Sequence, residues 1–564
     1  MLGIATVMYW YWRQPPLNVI LVTFDTTRAD RLGAYGYKQG LTEGFDDFAR
    51  RGVVFDRAYA PAPLTLPSHA TMLTGLYPPE HGLRVNGAGR LDRHLPLLAE
   101  ILKARGYDTG AFIAAAVLDS QYGLDRGFDT YDDELPKKKL GNHFGEPRRD
   151  GREIMDSALT WLRRRTSRPF FCWIHLYDAH GPYDSRPDVF GQKFAGSPYD
   201  AGIAWQIRQF ERLTDYLKER RLDANTLVVV AGDHGEGLDD HMESEHGMLV
   251  YNTTLLVPLV FVGPRECRPG TRVSTTVSLV DLSPTLLDIL RIPAPPHQSG
   301  RSLLPALQGK SINARDCYAE THTPFVYNRW APLHSVISDR WKYIQTTRPE
   351  LYDLTNDPGE QTNLADSDRD QVEEMRNALD DLEAAFVPAS AQNLRLSEKD
   401  LANLRALGYV AGGNSTSAVT ESNDAEVLPD IKDMLGLLSK FDKARHLSME
   451  GKLEESIALL KEIVVATSEF PAAGLLLGEC LAQAGRLDEA VTTYRSVLAA
   501  RPDFVGANFS LGRILASQGQ FEQAVAEFRA FIKQDPSSAT VHFELAQALA
   551  ALQRFQEAIP EYRE

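Results

Sequence analysis

Thr65 begins the segment Thr65-Leu66-Pro67-Ser68-His69, directly after the proline-rich turn Ala60-Pro61-Ala62-Pro63-Leu64. The pattern predicts a helix that starts on the threonine. A helix start has unpaired backbone N–H groups and the positive end of the helix dipole, so a hydroxyl there is placed to meet an anionic ester. The same hydroxyl also suits a plain helix cap. Threonine is a poor nucleophile at neutral pH. A bound cation would favour its alkoxide and withdraw charge from the attacked group. Asp25, Asp233 and His234 are of the types that hold such a cation, and with Thr65 they form the candidate metal set. Zn, Ca, Mn and Mg all remain open as the ion.

These residues need elements to bring them together. Asp25 ends the apolar run Leu17-Asn18-Val19-Ile20-Leu21-Val22-Thr23-Phe24. Asp233 and His234 end Thr226-Leu227-Val228-Val229-Val230-Ala231-Gly232, and Asp178 and His180 follow Phe170-Phe171-Cys172-Trp173-Ile174-His175-Leu176. Near-continuous apolar runs are the pattern of parallel strands covered on both faces. Ligands of open α/β sheets gather beyond the carboxyl ends of such strands. The chain is therefore read as α/β, with Asp25, Asp233, His234 and His180 converging at one sheet edge.

The same segments resemble the sulfatase branch of the alkaline phosphatase superfamily, over about residues 17–410. The resemblance rests on Asn18 to Asp30, Leu66 to Pro78, His175 to Tyr183, Gly232 to Glu236, Glu245-His246-Gly247 and Trp341 to Ile344 followed by Leu351 to Glu360. It implies an alkaline-phosphatase-like sandwich with a mostly parallel central sheet (core 17–310) and a small C-terminal α+β subdomain (311–410). It also implies His180 as general acid near the leaving group. Asn86 is either a hydrogen-bond donor to an ester oxygen or a turn residue, and His69 is either a substrate contact or a packed helix residue. His246 is a substrate contact or, with Asp178 and His180, a candidate second-metal ligand. His241, Glu243 and Glu245 read as a solvated loop, while Trp330 and His334 are placed near the site mouth by position alone.

Departures from the sulfatase pattern carry as much information. Sulfatases have Cys, sometimes Ser, where this chain has Thr65, and oxidise it to formylglycine; no formylglycine is expected here. Thr65 with Pro67 and His69 is similar to the nucleotide pyrophosphatase/phosphodiesterase branch. Thr26 stands where sulfatases have a second acidic residue. The family's anion-binding Lys and His are missing from Gly110-Ala111-Phe112-Ile113-Ala114-Ala115-Ala116. The sequence thus points to a metal-dependent hydrolase of small anionic esters, phosphate mono- or diesters ahead of sulfate esters. The alternative is a scaffold whose hydrolase-like part is a weak or inactive relic.

The second half repeats. Gly451-Lys452-Leu453-Glu454-Glu455-Ser456 recurs as Gly485 to Ala490, Gly519 to Ala524 and Gln553 to Ala558, a 34-residue period that Gly478, Gly512 and Ala546 and also Pro502 and Pro536 keep. This is the tetratricopeptide pattern, an all-α solenoid over 430–564 that suits a protein or peptide partner. A Gly/Ser/Thr-rich linker, 411–429, separates it from the hydrolase part.

Composition narrows the partners. Lys+Arg 60 against Asp+Glu 76 gives −16, which argues against a gripped nucleic-acid polymer. Four scattered cysteines, Cys172, Cys267, Cys317 and Cys480, form no redox or zinc motif. Residues 1–16 open with twelve uncharged, mostly apolar residues, too few to span a bilayer, and read as the back part of a membrane anchor or signal. A cell-envelope or periplasmic, extracytoplasmic location is the expectation.

Overall fold

The computed structural model describes residues 16–135, 148–164, 167–389, 391–392, 394, 428–502, 504–534, 536 and 538–563. The apolar segment 1–15 and linker residues 411–427 lie outside them. Among the described residues no helix is long and apolar enough to cross a membrane.

A nine-stranded sheet forms the centre. Its strands are β1 (Asn18–Phe24), β2 (Val53–Tyr59), β3 (Asp108–Phe112), β4 (Thr130–Asp132), β5 (Phe170–Leu176), β6 (Thr226–Gly232), β7 (Leu256–Val262), β8 (Thr271–Val273) and β9 (Val277–Ser278). The order is β4-β3-β5-β1-β6-β7-β2-β8, with β9 beside β2. The sheet is mostly parallel; β7 runs antiparallel to both β6 and β2. The three apolar runs named above are β1, β5 and β6, and every residue of each is buried. Burying each Val, Leu, Ile or Phe there contributes roughly 1.5–3 kcal/mol. Phe24 of β1 packs against Phe45 and Phe210 with ring centroids 6.1 and 5.9 Å away.

Register then sets the site. Thr23 pairs with His175 on one side and Ala231 on the other, and Phe24 pairs with Leu176 and Gly232. Parallel pairing brings the carboxyl ends out together, so Asp25, Asp233 and His234 leave the sheet at one edge. The helix Thr65–Thr74 starts at the threonine and is buried along its whole length.

A second, antiparallel sheet holds β10 (Cys317–Thr321), β11 (Leu333–Ile337), β12 (Trp341–Gln345) and β13 (Glu350–Asp353). The helix Arg369–Ala385 follows it, with Met375 and Leu379 in an apolar cluster with Tyr318, Val336 and Tyr343.

Helices then run in antiparallel pairs from Ile431–Met449 to Phe555–Glu561. The repeat glycines do two different jobs. Gly451, Gly485 and Gly519 close helix turns at φ 78°, 77° and 76°, where an L side chain is strained. Gly478 and Gly512 allow close packing: a Cβ on them would lie 2.4 Å from Tyr494 and 2.6 Å from Phe528 ring atoms. The first repeat helix docks on the part of the chain that holds the two sheets. Lys432 Nζ donates to Glu350 Oε1 at 2.9 Å, and Ser244 Oγ donates to Asp442 Oδ2 at 2.6 Å. Trp330 belongs to this junction rather than to the site mouth. It is fully buried, donates from Nε1 to the Glu469 carbonyl at 2.7 Å and packs on Phe470.

Candidate active site

Asp25, Thr65, Asp233 and His234 meet at the sheet edge, all completely buried. Thr65 Oγ1 lies 3.3 Å from Asp25 Oδ2 and 3.2 Å from His234 Nε2. Ligand atoms of Asp25, Asp233 and His234 all fall within 4.8 Å of one another. The imidazole is in the tautomer a cation needs: Nδ1 lies 2.9 Å from the Gly235 carbonyl and must carry the proton, which leaves the Nε2 lone pair facing Thr65.

Charge accounting supports a cation. Burial, opposed chiefly by His234, pushes the Asp25 carboxyl up to about 6. Burial and the Asp25 charge push Asp233 in the same direction. Asp25 Oδ1 and Asp233 Oδ2 are buried and have no hydrogen-bond partner. Two dehydrated carboxylates with orphaned oxygens are strongly unfavourable unless a cation joins them. This donor set of two carboxylates and one imidazole fits a divalent ion.

The surroundings hold these groups in place. Asn86 Oδ1 accepts from the Leu66 N–H at 2.9 Å, and its buried Nδ2 has no hydrogen-bond partner, leaving an amide donor beside the segment that carries Thr65. Thr26 supplies a backbone N–H to Asp233 Oδ1 at 3.2 Å instead of the carboxylate sulfatases have there. It does so at φ 50°, a strained conformation for a β-branched residue and a mark of functional geometry.

His69 is a packed residue, not an open contact. Trp173 Nε1 donates to Thr23 Oγ1 at 3.1 Å, and the Thr23 hydroxyl then donates to His69 Nε2 at 3.0 Å. His69 Nδ1–H donates to the Thr65 carbonyl at 2.8 Å. Both ring nitrogens are thereby committed, and burial lowers the imidazole to about 3.

His175 is the residue that sequence reasoning passed over. Its Nε2 sits 3.1 Å from Asp25 Oδ2, and its Nδ1 is buried without a hydrogen bond. Strand register could have found it, because its partner Thr23 lies two residues before Asp25. Glu236 was passed over too: its Oε1 lies 2.9 Å from His246 Nδ1.

His246 and His180 extend the site outward. The His246 ring is 4.4 Å from that of His234 and 5.0 Å from that of His180. His180 stacks on Tyr177 at 4.3 Å and donates from Nδ1 to the Gly181 carbonyl at 2.6 Å. Among the described residues, Asp178, His180 and His246 do not come together as one ligand group. Asp178 Oδ1 takes Arg186 Nη2 at 2.6 Å and the Gly151 N–H at 3.2 Å, while its Oδ2 is buried without a hydrogen bond and burial, opposed by Arg186, raises the carboxyl to about 7. The loop 241–245 is only partly solvated, with Met242 exposed and His241, Ser244 and Glu245 half-buried. Glu243 is buried and accepts from the Met248 and Leu249 N–H groups, and His241 stacks on Tyr251 at 3.9 Å. Glu245 is held by Arg445 and His446 of the first repeat helix. His334 joins Glu320 and His322 in a separate buried cluster.

Comparison with known proteins agrees with this layout. Residues 17–292 match the sulfatase family model, and residues 245–385 match the model of the N-sulphoglucosamine sulphohydrolase C-terminal region. Residues 447–509 and 509–564 match tetratricopeptide repeat models. The chain carries a sulfatase domain, followed by tetratricopeptide repeats. Among relatives of the sulfatase domain, Delta 4,5-hexuronate-2-O-sulfatase of Bacteroides thetaiotaomicron is 26% identical over 418 residues, 62% of this chain and 84% of that protein. Arylsulfatase K of Homo sapiens is 25% identical over 430 residues, 62% of this chain and 78% of its own length. Two solved structures share the fold at TM-score 0.56. A 2-O GAG sulfatase is 23% identical, with 65% of this chain and 92% of that one covered. The phosphonate monoester hydrolase of Agrobacterium radiobacter is 22% identical, with 68% and 98% covered.

Proposed function

We propose that the sulfatase domain hydrolyses anionic esters with Thr65 as nucleophile, phosphorus esters ahead of sulfate esters. The observation that carries this reading is the Thr65 hydroxyl itself. It is buried at a helix start, with Asp25 Oδ2 and His234 Nε2 within 3.3 Å. A cation, when bound, would be held by Asp25, Asp233 and His234 and would supply positive charge beside the nucleophile and the ester oxygens.

The residues then divide the work. Thr65 Oγ1 passes its proton to Asp25 Oδ2 and forms a bond to phosphorus as the bond to the leaving oxygen breaks. Water later attacks phosphorus, the Oγ1–P bond breaks, and a proton returns to Thr65 Oγ1. The unpartnered Asn86 amide donates to a non-bridging oxygen. His180 faces the leaving side, but burial keeps its imidazole well below the ordinary histidine range. It can therefore protonate the leaving oxygen only after the substrate's negative charge has drawn a proton to Nε2. Sulfate is the harder cargo. Threonine has no second hydroxyl from which to expel sulfate by elimination, as a formylglycine hydrate can.

A sulfuric ester substrate is the second reading, favoured by the sulfatase names of the relatives. The test is a matched panel of aryl phosphate, bis-aryl phosphate, phosphonate and sulfate esters with Zn, Mn, Ca and Mg, comparing wild type with Thr65→Ala. Faster turnover of phosphorus esters, lost in Thr65→Ala, supports the first reading, and the reverse ranking supports the second. Unchanged turnover in Thr65→Ala sinks both. The repeats are assigned to a protein or peptide partner.

A further inference from the structure

The loop from Glu236 to His246 is strained and is held from outside. Leu238, Asp239, His241 and Met242 all take positive φ, from 53° to 67°. Such conformations persist only where surrounding structure over-determines them. Within the loop the Gly237 N–H donates to the Glu245 carbonyl at 2.6 Å, and the Asp239 N–H donates to the Glu243 carbonyl at 2.9 Å. Outside it, Arg28 holds the near end, donating from Nη1 to the Glu236 and Gly237 carbonyls and to Asp240 Oδ2 at 2.8 Å, and the repeats hold the far end. Arg445 Nη2 donates to Glu245 Oε2 at 2.6 Å, His446 Nε2 lies 3.0 Å from Glu245 Oε1, and Asp442 takes the Ser244 hydroxyl. Arg445 is itself buried.

Glu245 is the residue next to His246, whose ring lies between those of His234 and His180. We propose that the first repeat helix is a working wall of the active site and that Arg445, through Glu245, is the positioning residue for His246. This rests on the hydrolase reading above. A cleft of about 900 Å3 lies between Ser439, Lys443, Leu447 and their neighbours on one side and Gly181, Tyr183 and Leu238 on the other.

The test uses the full chain and the aryl ester that wild type turns over fastest. Arg445→Met should lower kcat about tenfold with KM held within about twofold, because misplaced catalytic groups slow the chemistry more than binding. Arg445→Lys should recover most of that loss, and Glu245→Gln/Arg445→Met, which removes both charges of the pair and leaves Asp442 with the Ser244 hydroxyl, should lower kcat as Arg445→Met does. Lys432→Met is the control. It removes another ion pair of the same junction, Lys432–Glu350, which touches neither Glu245 nor His246 and reaches the loop only through Tyr251 against His241. Lys432→Met should lower the melting temperature and leave kcat within about twofold. If it lowers kcat as far as Arg445→Met does, the repeats merely buttress the fold and the proposal falls. If neither Arg445→Met nor the double variant changes kcat, the positioning role is also overturned, while the hydrolase reading stands. A wild type inert toward every ester overturns the hydrolase reading and this inference with it.

Discussion

Among the described residues, side chains of the types that hold a cation gather around Asp233 and around Glu320, and the charges of the two places are settled in opposite ways. At the sheet edge Asp25, Asp233 and His234 converge; in the antiparallel subdomain Glu320, His322 and His334 do. In the second cluster His322 Nε2 and His334 Nε2 are 3.0 Å apart, which on distance alone could serve a metal. But Glu320 is already satisfied. Arg84 Nε donates to Oε1 at 2.7 Å, Arg84 Nη2 donates to Oε2, and the Tyr318 hydroxyl donates to Oε2 at 2.7 Å. The first cluster lacks that satisfaction, with Asp25 Oδ1 and Asp233 Oδ2 unpartnered. Residue types alone do not make a cation site; an unbalanced charge does. Arg84 serves as the cation of the second cluster.

The largest expected difference between the clusters is in turnover. Asp233→Asn should cost roughly a thousandfold or more in kcat/KM, while Glu320→Gln should cost far less, because it touches none of Asp25, Thr65, Asp233 and His234. Metal analysis of the same proteins sharpens this: bound metal per chain should fall in Asp233→Asn and stay at the wild-type level in Glu320→Gln. Equal metal loss in both would show that the second cluster binds an ion after all.

Stability should show the reverse asymmetry. Arg84→Met strands a fully buried carboxylate, and denaturant unfolding should register a loss of about 3 kcal/mol. Adding metal to stripped protein should stabilise it by about 2.7 kcal/mol at a hundredfold excess over Kd, and Asp233→Asn should abolish that gain. A gain surviving in Asp233→Asn would move the ion elsewhere.

How far these clusters could be read from the chain follows from what builds them. Asp25 and Asp233 were legible because each ends an apolar run, and a strand-end residue is a local pattern. The repeats were legible because Gly451, Gly485 and Gly519 keep one period and one turn conformation. His175 was not legible as a site residue, since it sits inside its run and only the β1–β5 register places it by Asp25. Glu245 read as solvated because its burial is made by Arg445, two hundred residues later. Glu320 likewise depends on Arg84, 236 positions away. Pairings over such separations leave no periodic trace.

The smallest effect concerns pH and separates the clusters without any substrate. Burial alone would raise the Glu320 carboxyl; Arg84, with help from His322, outweighs it and holds the group at about 2, below its ordinary 4.5. A folded-state value below the unfolded one means that Glu320 adds stability fully present above about pH 4.5, lost as the pH falls towards 2. At pH 3.5 about one unit of that shift is gone, worth roughly 1.4 kcal/mol. Asp25 has the opposite sign in metal-free protein. Its value of about 6 lies above the ordinary 3.8, so its contribution declines as pH rises from about 4 to 6. Melting curves of stripped wild type and Glu320→Gln should therefore stop running parallel below pH 4.5, wild type losing more on acidification and closing its lead over the variant. Above pH 4.5 the two should run parallel, both falling with Asp25. Parallel curves throughout would mean that Arg84 leaves Glu320 at its unfolded value, and the contrast between the clusters would lose its electrostatic basis.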